Sequence, residues 1–181
     1  MKKITLPLLC LLAFAACNNT PTKESAVTTT ATYTLPDDSA ITQAVHDAYA
    51  CISFSNGKPR YDSIPYYFIP QAQLINFRTD TAMVTSITQF VGFYKQFIEA
   101  NHITLFYEQE LYGKTEQFGK IAHRISTYKT YINSMDSLPE RGVNSFQLIN
   151  TPNGWKVSSI IWDVEKPTLP VPAYYLKDST K

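Results

Sequence analysis

The chain has 181 residues, 44% of them apolar and 13% aromatic, and a formal charge of +1. Its Lys and Arg residues are spread out, which excludes the basic stripe that phosphate backbones require, so nucleic acid is not expected as a partner. CxxC, HExxH and phosphate-cradling glycine loops are absent, and His46, His102 and His123 are scattered, so neither a metal nor a cofactor is expected.

Lys2 and Lys3 precede an almost continuous apolar run from Ile4 to Ala16. The run falls short of the roughly 20 residues that cross a bilayer, and with small residues at its end it fits a secretory signal over 1–16. Ala15-Ala16-Cys17 resembles a lipobox, with Phe14 where an aliphatic residue usually stands. The expectation is acylation at Cys17 and anchorage to the lipid bilayer of the cell envelope. A plain cleaved signal leaving a free Cys17 thiol is the alternative. No acidic cluster follows Cys17, so a periplasm-facing lipoprotein is the default. Cys10 would leave with the signal, and Cys51 alone cannot form an internal disulfide. Residues 17–37, rich in Thr, Ser, Ala and Pro, read as a flexible linker.

A single domain of roughly 140 residues is expected over 38–176, with a tail at 177–181. Asp38 or Ser39 can cap a first helix on which Ile41, Val45, Ala48 and Ile52 recur at helical spacing, with Ala44 and Tyr49 beside them. Asn56-Gly57 stops it. Tyr61 to Phe68 reads as a second small helix ended by Pro70, and Ala72 to Phe77 as a strand. Ser86 and Gln89 fit a capping box for a helix from about Thr85 to Ala100, whose apolar stripe holds Ile87, Phe90, Val91, Tyr94, Phe97 and Ile98.

Strands follow. Ile103 to Leu111 alternates, and Phe118 to Ile132 is rich in β-branched residues and tyrosine. Pro139 to Gly142 reads as a turn before a strand from Val143 to Ile149. Asn153-Gly154 is a hairpin signal from which Trp155 to Val164 returns. Hairpin-joined strands predict an α+β fold with an antiparallel sheet burying one face under helices. Pro167, Pro170 and Pro172 make a stiff tail that can lie over the sheet on Tyr174 and Tyr175.

Three stretches carry a resemblance: Lys120 to Tyr128, Arg141 to Leu148 and Asn153 to Trp162. With the element order from Ser39 to Leu176, they resemble the nuclear transport factor 2-like superfamily, which includes SnoaL-like cyclases and ketosteroid isomerase. The resemblance implies a cone, in which a curved sheet wraps helices around an apolar pocket. It also implies a tyrosine at about Tyr49 and a catalytic base at the position of Asn76. An amide lacks useful basicity, so proton abstraction at Asn76 is not available.

Tyr49, Asn76, Tyr94, Phe97, His123, Asn144 and Trp162 are the ligand-binding candidates. Tyr49, Tyr94 and Phe97 have plain core packing as their alternative, and His123, between Ile121 and Ile125, has a structural hydrogen bond as its own. Trp162 and Asn144 fit either the pocket mouth or a homodimer contact through the open sheet face. Glu108 shares a strand face with Glu110; a solvated edge is the first reading for both, and an acid–base role the second. Two functions follow. One is a non-catalytic envelope module that binds a small apolar ligand or a protein. The other is an isomerase, dehydratase or cyclase using His123 with Glu108 or a tyrosine.

Overall fold

A computed structural model describes residues 37–57 and 59–176. The expected signal, Cys17, the linker up to residue 36 and the 177–181 tail lie outside them. The element order is helix α1 (Asp38–Ile52), strand β1 (Phe54–Ser55), a 3₁₀ helix (Tyr61–Tyr67), β2 (Phe68–Asn76), β3 (Met83–Ser86), helix α2 (Ile87–Ala100), β4 (Leu105–Phe118), β5 (Ile121–Ile132), β6 (Glu140–Thr151), β7 (Gly154–Val164) and a short 3₁₀ helix (Ala173–Tyr175).

The strands form one open sheet in the order β1-β4-β5-β6-β7-β2-β3. Every pairing is antiparallel except β2 with β7, which is parallel, so the sheet is mixed where hairpin signals alone predicted an antiparallel one. No hairpin joins β2 to β7, so hairpin signals carry no information about the direction of that pair.

Bulges set which side chains face inward. On β4 the ladder skips Leu111, so Glu108 and Glu110 share the inner face with Gly113, Thr115 and Gln117 further along. On β7 it skips Ser158, so Trp155 and Val157 point inward and so do Ile160 and Trp162. Helix α1 touches both β4 and β7, which a flat sheet would hold about 14 Å apart. The sheet therefore bends around the helix.

The core lies between this inner face and the helices. Ile41, Val45, Ala48 and Tyr49 of α1 meet Phe146, Leu148 and Val157 of the sheet, and all are buried. The four α1 residues follow the helical spacing read from the sequence. The capping box of α2 is present: Gln89 N–H donates to Ser86 Oγ at 3.2 Å, and Ser86 N–H donates to Gln89 Oε1 at 2.9 Å. The helix itself starts at Ile87, two residues later than its pattern suggested, because Met83–Ser86 pairs with β2 as a strand. Helix α1 is entered at Asp37 without a side-chain cap, and the Asp37 carboxylate instead accepts from Gln117 Nε2 at 3.2 Å.

Phe118 to Ile132 is broken by a turn at Gly119, whose φ of 53° is left-handed, so β4 runs to Phe118 and β5 begins at Ile121. Gly142 lies inside β6, where the sequence suggested a turn. A Cβ there would stand 2.6 Å from Tyr128 Oη and 2.4 Å from the Asp163 carbonyl oxygen, so the missing side chain is what lets Tyr128 lie across the strand. The C-terminal segment does lie on the outer sheet face, where the Thr127 hydroxyl donates to the Tyr175 carbonyl.

Candidate functional site

Between the inner sheet face and the two helices is a cavity of about 310 Å³. Phe146 and Leu74 line its depth, and the half-exposed Phe93, Phe97 and Met83 form its rim. Ten of its twenty lining residues are aromatic, and the ionisable carboxylate among them is Glu108.

Several expected residues come together here: Tyr49, Asn76, Tyr94, Phe97, Asn144 and Trp162 all line the cavity. Tyr94 donates its hydroxyl to the Ile52 carbonyl, and its ring lies parallel to Phe90 with centroids 6.1 Å apart. Trp162 meets Phe90 edge-on at 6.4 Å. Asn76 is buried, and its amide oxygen accepts from the Arg78 backbone N–H at 3.3 Å.

His123 does not belong to this group. Ala122, Arg124, Ser126, Tyr128 and Thr130 are the inward, buried residues of β5, so strand alternation places His123 on the outer face. There its Nε2 lies 3.0 Å from Ser145 Oγ, in a shallow groove with Tyr112 and Tyr174. The apolar neighbours Ile121 and Ile125 suggested an inner face, but that face of β5 carries polar residues that satisfy one another.

The first such set is an ion pair. Arg124 holds Glu110 through two nitrogens, Nε to Oε2 at 2.9 Å and Nη2 to Oε1 at 2.6 Å, and both side chains are under one-tenth exposed. Gly113 leaves room for this, since a Cβ there would lie 2.3 Å from Arg124 Nη2. Burial would push the Glu110 carboxyl up, but hydrogen bonds from Arg124 and Ser126 hold it below the usual range. His46 Nε2 approaches the same carboxylate at 3.3 Å from α1.

The second set is a directed chain. Ser126 Oγ donates to Glu110 Oε2 at 2.6 Å, so the contact between Tyr49 Oη and Ser126 Oγ at 2.7 Å must be donated by Tyr49. Asn144 Nδ2 then donates to Tyr49 Oη at 2.9 Å. The only proton of Tyr49 is therefore spent on Ser126. A proton-donating role like that implied by the resemblance has no proton to use in this arrangement. Burial pushes the Tyr49 hydroxyl well above its ordinary value, so it stays neutral.

Glu108 stands apart from both sets. Thr130 Oγ1 donates to its Oε2 at 2.6 Å, while its Oε1 accepts no hydrogen bond among the described residues. Its backbone is fixed from α1's end, where Ser53 Oγ accepts from the Glu108 N–H at 3.0 Å. Burial pushes the carboxyl up to about 7, against the pull of Thr130. The reading of Glu108 as a solvated edge charge is thus corrected: it faces the cavity. A carboxyl poised near neutrality in an apolar cavity can give or take a proton, or balance a ligand's charge. Arg78, the other charged lining residue, forms a fork on Glu140 at 2.8 and 3.3 Å.

Phe90, Phe106, Tyr128 and Phe146 also line the cavity and were not among the sequence candidates. Phe90 could have been found from its place on the α2 stripe, whereas Tyr128 needed the inner face of β5 to be known. Cys51 donates to the Ala48 carbonyl at 3.1 Å, and burial pushes its thiol up to about 12, which makes it unreactive near neutrality. Among the described residues no group of three His, Cys, Asp or Glu side chains is placed to hold a metal ion, and no helix is long and apolar enough to cross a membrane.

No family model and no curated protein matches the chain by sequence. Solved structures do match it. A cystatin-like-fold protein of unknown function from Nostoc punctiforme superposes with a TM-score of 0.58 at 12% identity, covering 76% of this chain and 96% of its own. A nuclear transport factor 2-like protein of unknown function from Methylobacillus flagellatus gives 0.52 at 11% identity, over 74% and 96%. The chain has a nuclear transport factor 2-like fold. A candidate dehydratase of the nuclear transport factor 2-like family from Streptomyces avermitilis gives 0.58 at 11% identity, over 72% and 96%. At such identities the likeness to nuclear transport factor 2-like proteins concerns the fold, which hosts unrelated functions.

Proposed function

We propose that the chain is an envelope lipoprotein whose nuclear transport factor 2-like domain binds a small, largely apolar molecule in the cavity between sheet and helices. One observation carries the reading: an aromatic cavity of about 310 Å³, open at a rim of Phe93, Phe97 and Met83, contains a carboxylate with one oxygen that accepts no hydrogen bond among the described residues. Apolar walls with few convergent polar groups are the usual form of a small-molecule site. The lipid anchor is supported by Ala15-Ala16-Cys17 behind a short apolar run.

The binding test is a thermal-shift screen of the full chain against lipids and aromatic metabolites, comparing wild type with Phe146→Trp, which puts a larger ring in the depth of the cavity. A hit that shifts wild type and spares Phe146→Trp supports the reading; hits that shift both equally reject it. Metabolic labelling with radioactive palmitate tests the anchor, which predicts label in the wild type and none in Cys17→Ala.

A second reading is acid–base catalysis, favoured by the position of Glu108 near neutrality. It replaces the histidine-based chemistry expected from sequence, because His123 lies on the other face of the sheet. Glu108 would take a proton from a carbon beside a carbonyl of the bound molecule and return it. Solvent deuterium would then enter bound ketones with wild type and not with Glu108→Gln; no exchange with any ketone that binds would leave binding alone.

A further inference from the structure

We propose that the cavity takes a hydrophobic amine, bound as its ammonium ion, with Glu108 as counter-ion and the aromatic walls around its charge. This rests on the binding reading above and names the ligand class for the same site.

The charges on the cavity wall are few. Arg78 and Glu108 line it, and the Arg78 guanidinium is committed to the fork on Glu140. Glu108 forms no ion pair among the described residues, although the charge of Arg78 acts on it from its place beside Glu140; one Glu108 oxygen is held by Thr130 and the other accepts no hydrogen bond among those residues. An ionised carboxylate removed from water is costly, so the empty site favours the protonated acid, and a cationic guest would supply the counter-charge that lets Glu108 ionise. A carboxylate or phosphate ligand would add a second negative charge beside Glu108, and could reach Arg78 only by breaking its fork. A neutral alcohol would offer Glu108 a hydrogen bond and no charge. An ammonium ion offers both.

The walls point the same way. Half of the lining residues are aromatic, and ring faces attract cations within about 6 Å of their centroids. Phe90 and Tyr94 lie parallel, 6.1 Å between centroids, with Trp162 edge-on to Phe90. The hydroxyls of Tyr49 and Tyr94 already donate to protein acceptors, to Ser126 and to the Ile52 carbonyl, so they present ring rather than proton to a guest. Aromatic rings with a single carboxylate select a cation with an apolar body, and they disfavour a strongly hydrated polyamine.

The groups that face Glu108 are Tyr49 and Cys51 from α1, Tyr94 from α2, Tyr128 and Thr130 from β5, and the Arg78–Glu140 pair. Burial keeps Tyr49, Cys51, Tyr94 and Tyr128 neutral near pH 7, so Glu108 is the group whose ionisation gates binding. Amine affinity should therefore rise as pH passes upward through about 7.

The test is isothermal titration of the full chain at pH 8.5 with matched amine, alcohol and carboxylate probes on three skeletons: tryptamine, tryptophol and indole-3-propionate; the 2-naphthyl-ethyl set; and the cyclohexyl-propyl set. The expected result is that at least one amine binds tenfold or more tightly than its alcohol, with the acid weakest. That preference should shrink to under threefold at pH 5.5 and in Glu108→Gln, an isosteric change that keeps the Thr130 hydrogen bond. Alcohols binding as tightly as amines would overturn the amine assignment and leave the binding reading intact. An amine preference that persists unchanged in Glu108→Gln would overturn the counter-ion role. No binding by any of the nine probes would overturn the binding reading together with the inference.

Discussion

At the residue scale two glutamates, two positions apart on one strand, are set to opposite tasks by their neighbours. Glu110 is neutralised by Arg124 and is structural. Removing one partner of such a pair leaves an uncompensated charge, so Arg124→Met should cost about 3–5 kcal/mol in urea unfolding. A loss below about 1 kcal/mol would show that the pair is open to water. Glu108 behaves oppositely. Its folded-state carboxyl sits near 7 against an ordinary 4.5, so the folded protein holds that proton more tightly than the unfolded chain does. Stability should therefore fall as pH rises from about 4.5 to about 7, by an amount on the order of 2–3 kcal/mol. Glu110, held below its ordinary value, contributes stability that is lost only at more acid pH, outside this window. Glu108→Gln should abolish the fall, making urea midpoints at pH 5 and pH 8 nearly equal; a wild type without the fall would show Glu108 to be solvated.

At the element scale, what was legible in the sequence was local. The capping box needs only Ser86 and Gln89, and the structure forms it; Ser86→Ala should cost about 1 kcal/mol by thermal melting, and an unchanged melting temperature would mean that strand β3 positions α2 unaided. The α1 stripe and the Asn153-Gly154 hairpin were readable for the same reason. Strand β3 was not, because Met83 to Ser86 becomes a strand only by pairing with β2. Alternation on β5 was visible, but it fixes two faces without saying which is inward. The polar residues Arg124, Ser126 and Thr130 took the inner face because partners from β4 satisfy them there. Glu108 was misread through the same gap, since its burial comes from helix α1 and the bend of the sheet.

At the scale of the whole domain, the sheet bends around α1 while α2 packs on β2 and β3, and the hollow between them is what the aromatic residues line. A fully packed interior would have consumed those rings as core. Tyr49 and Phe146 do both, meeting edge-on in the core and lining the hollow as well. The bulges at Leu111 and Ser158 make this possible by changing which residues of β4 and β7 face the hollow. Homodimerisation through the outer sheet face, expected from the resemblance, is a proposal that sedimentation at high concentration can decide, with a monomer rejecting it.

Glu108 sits among apolar walls with one oxygen that accepts no hydrogen bond among the described residues. Carboxyl carbon NMR of the full chain, labelled at glutamate and assigned with Glu108→Gln, reads this directly. The expected titration midpoint for Glu108 is near 7 in the empty protein, moving lower when a hydrophobic amine is added. A midpoint in the ordinary glutamate range, unmoved by any amine, would contradict it.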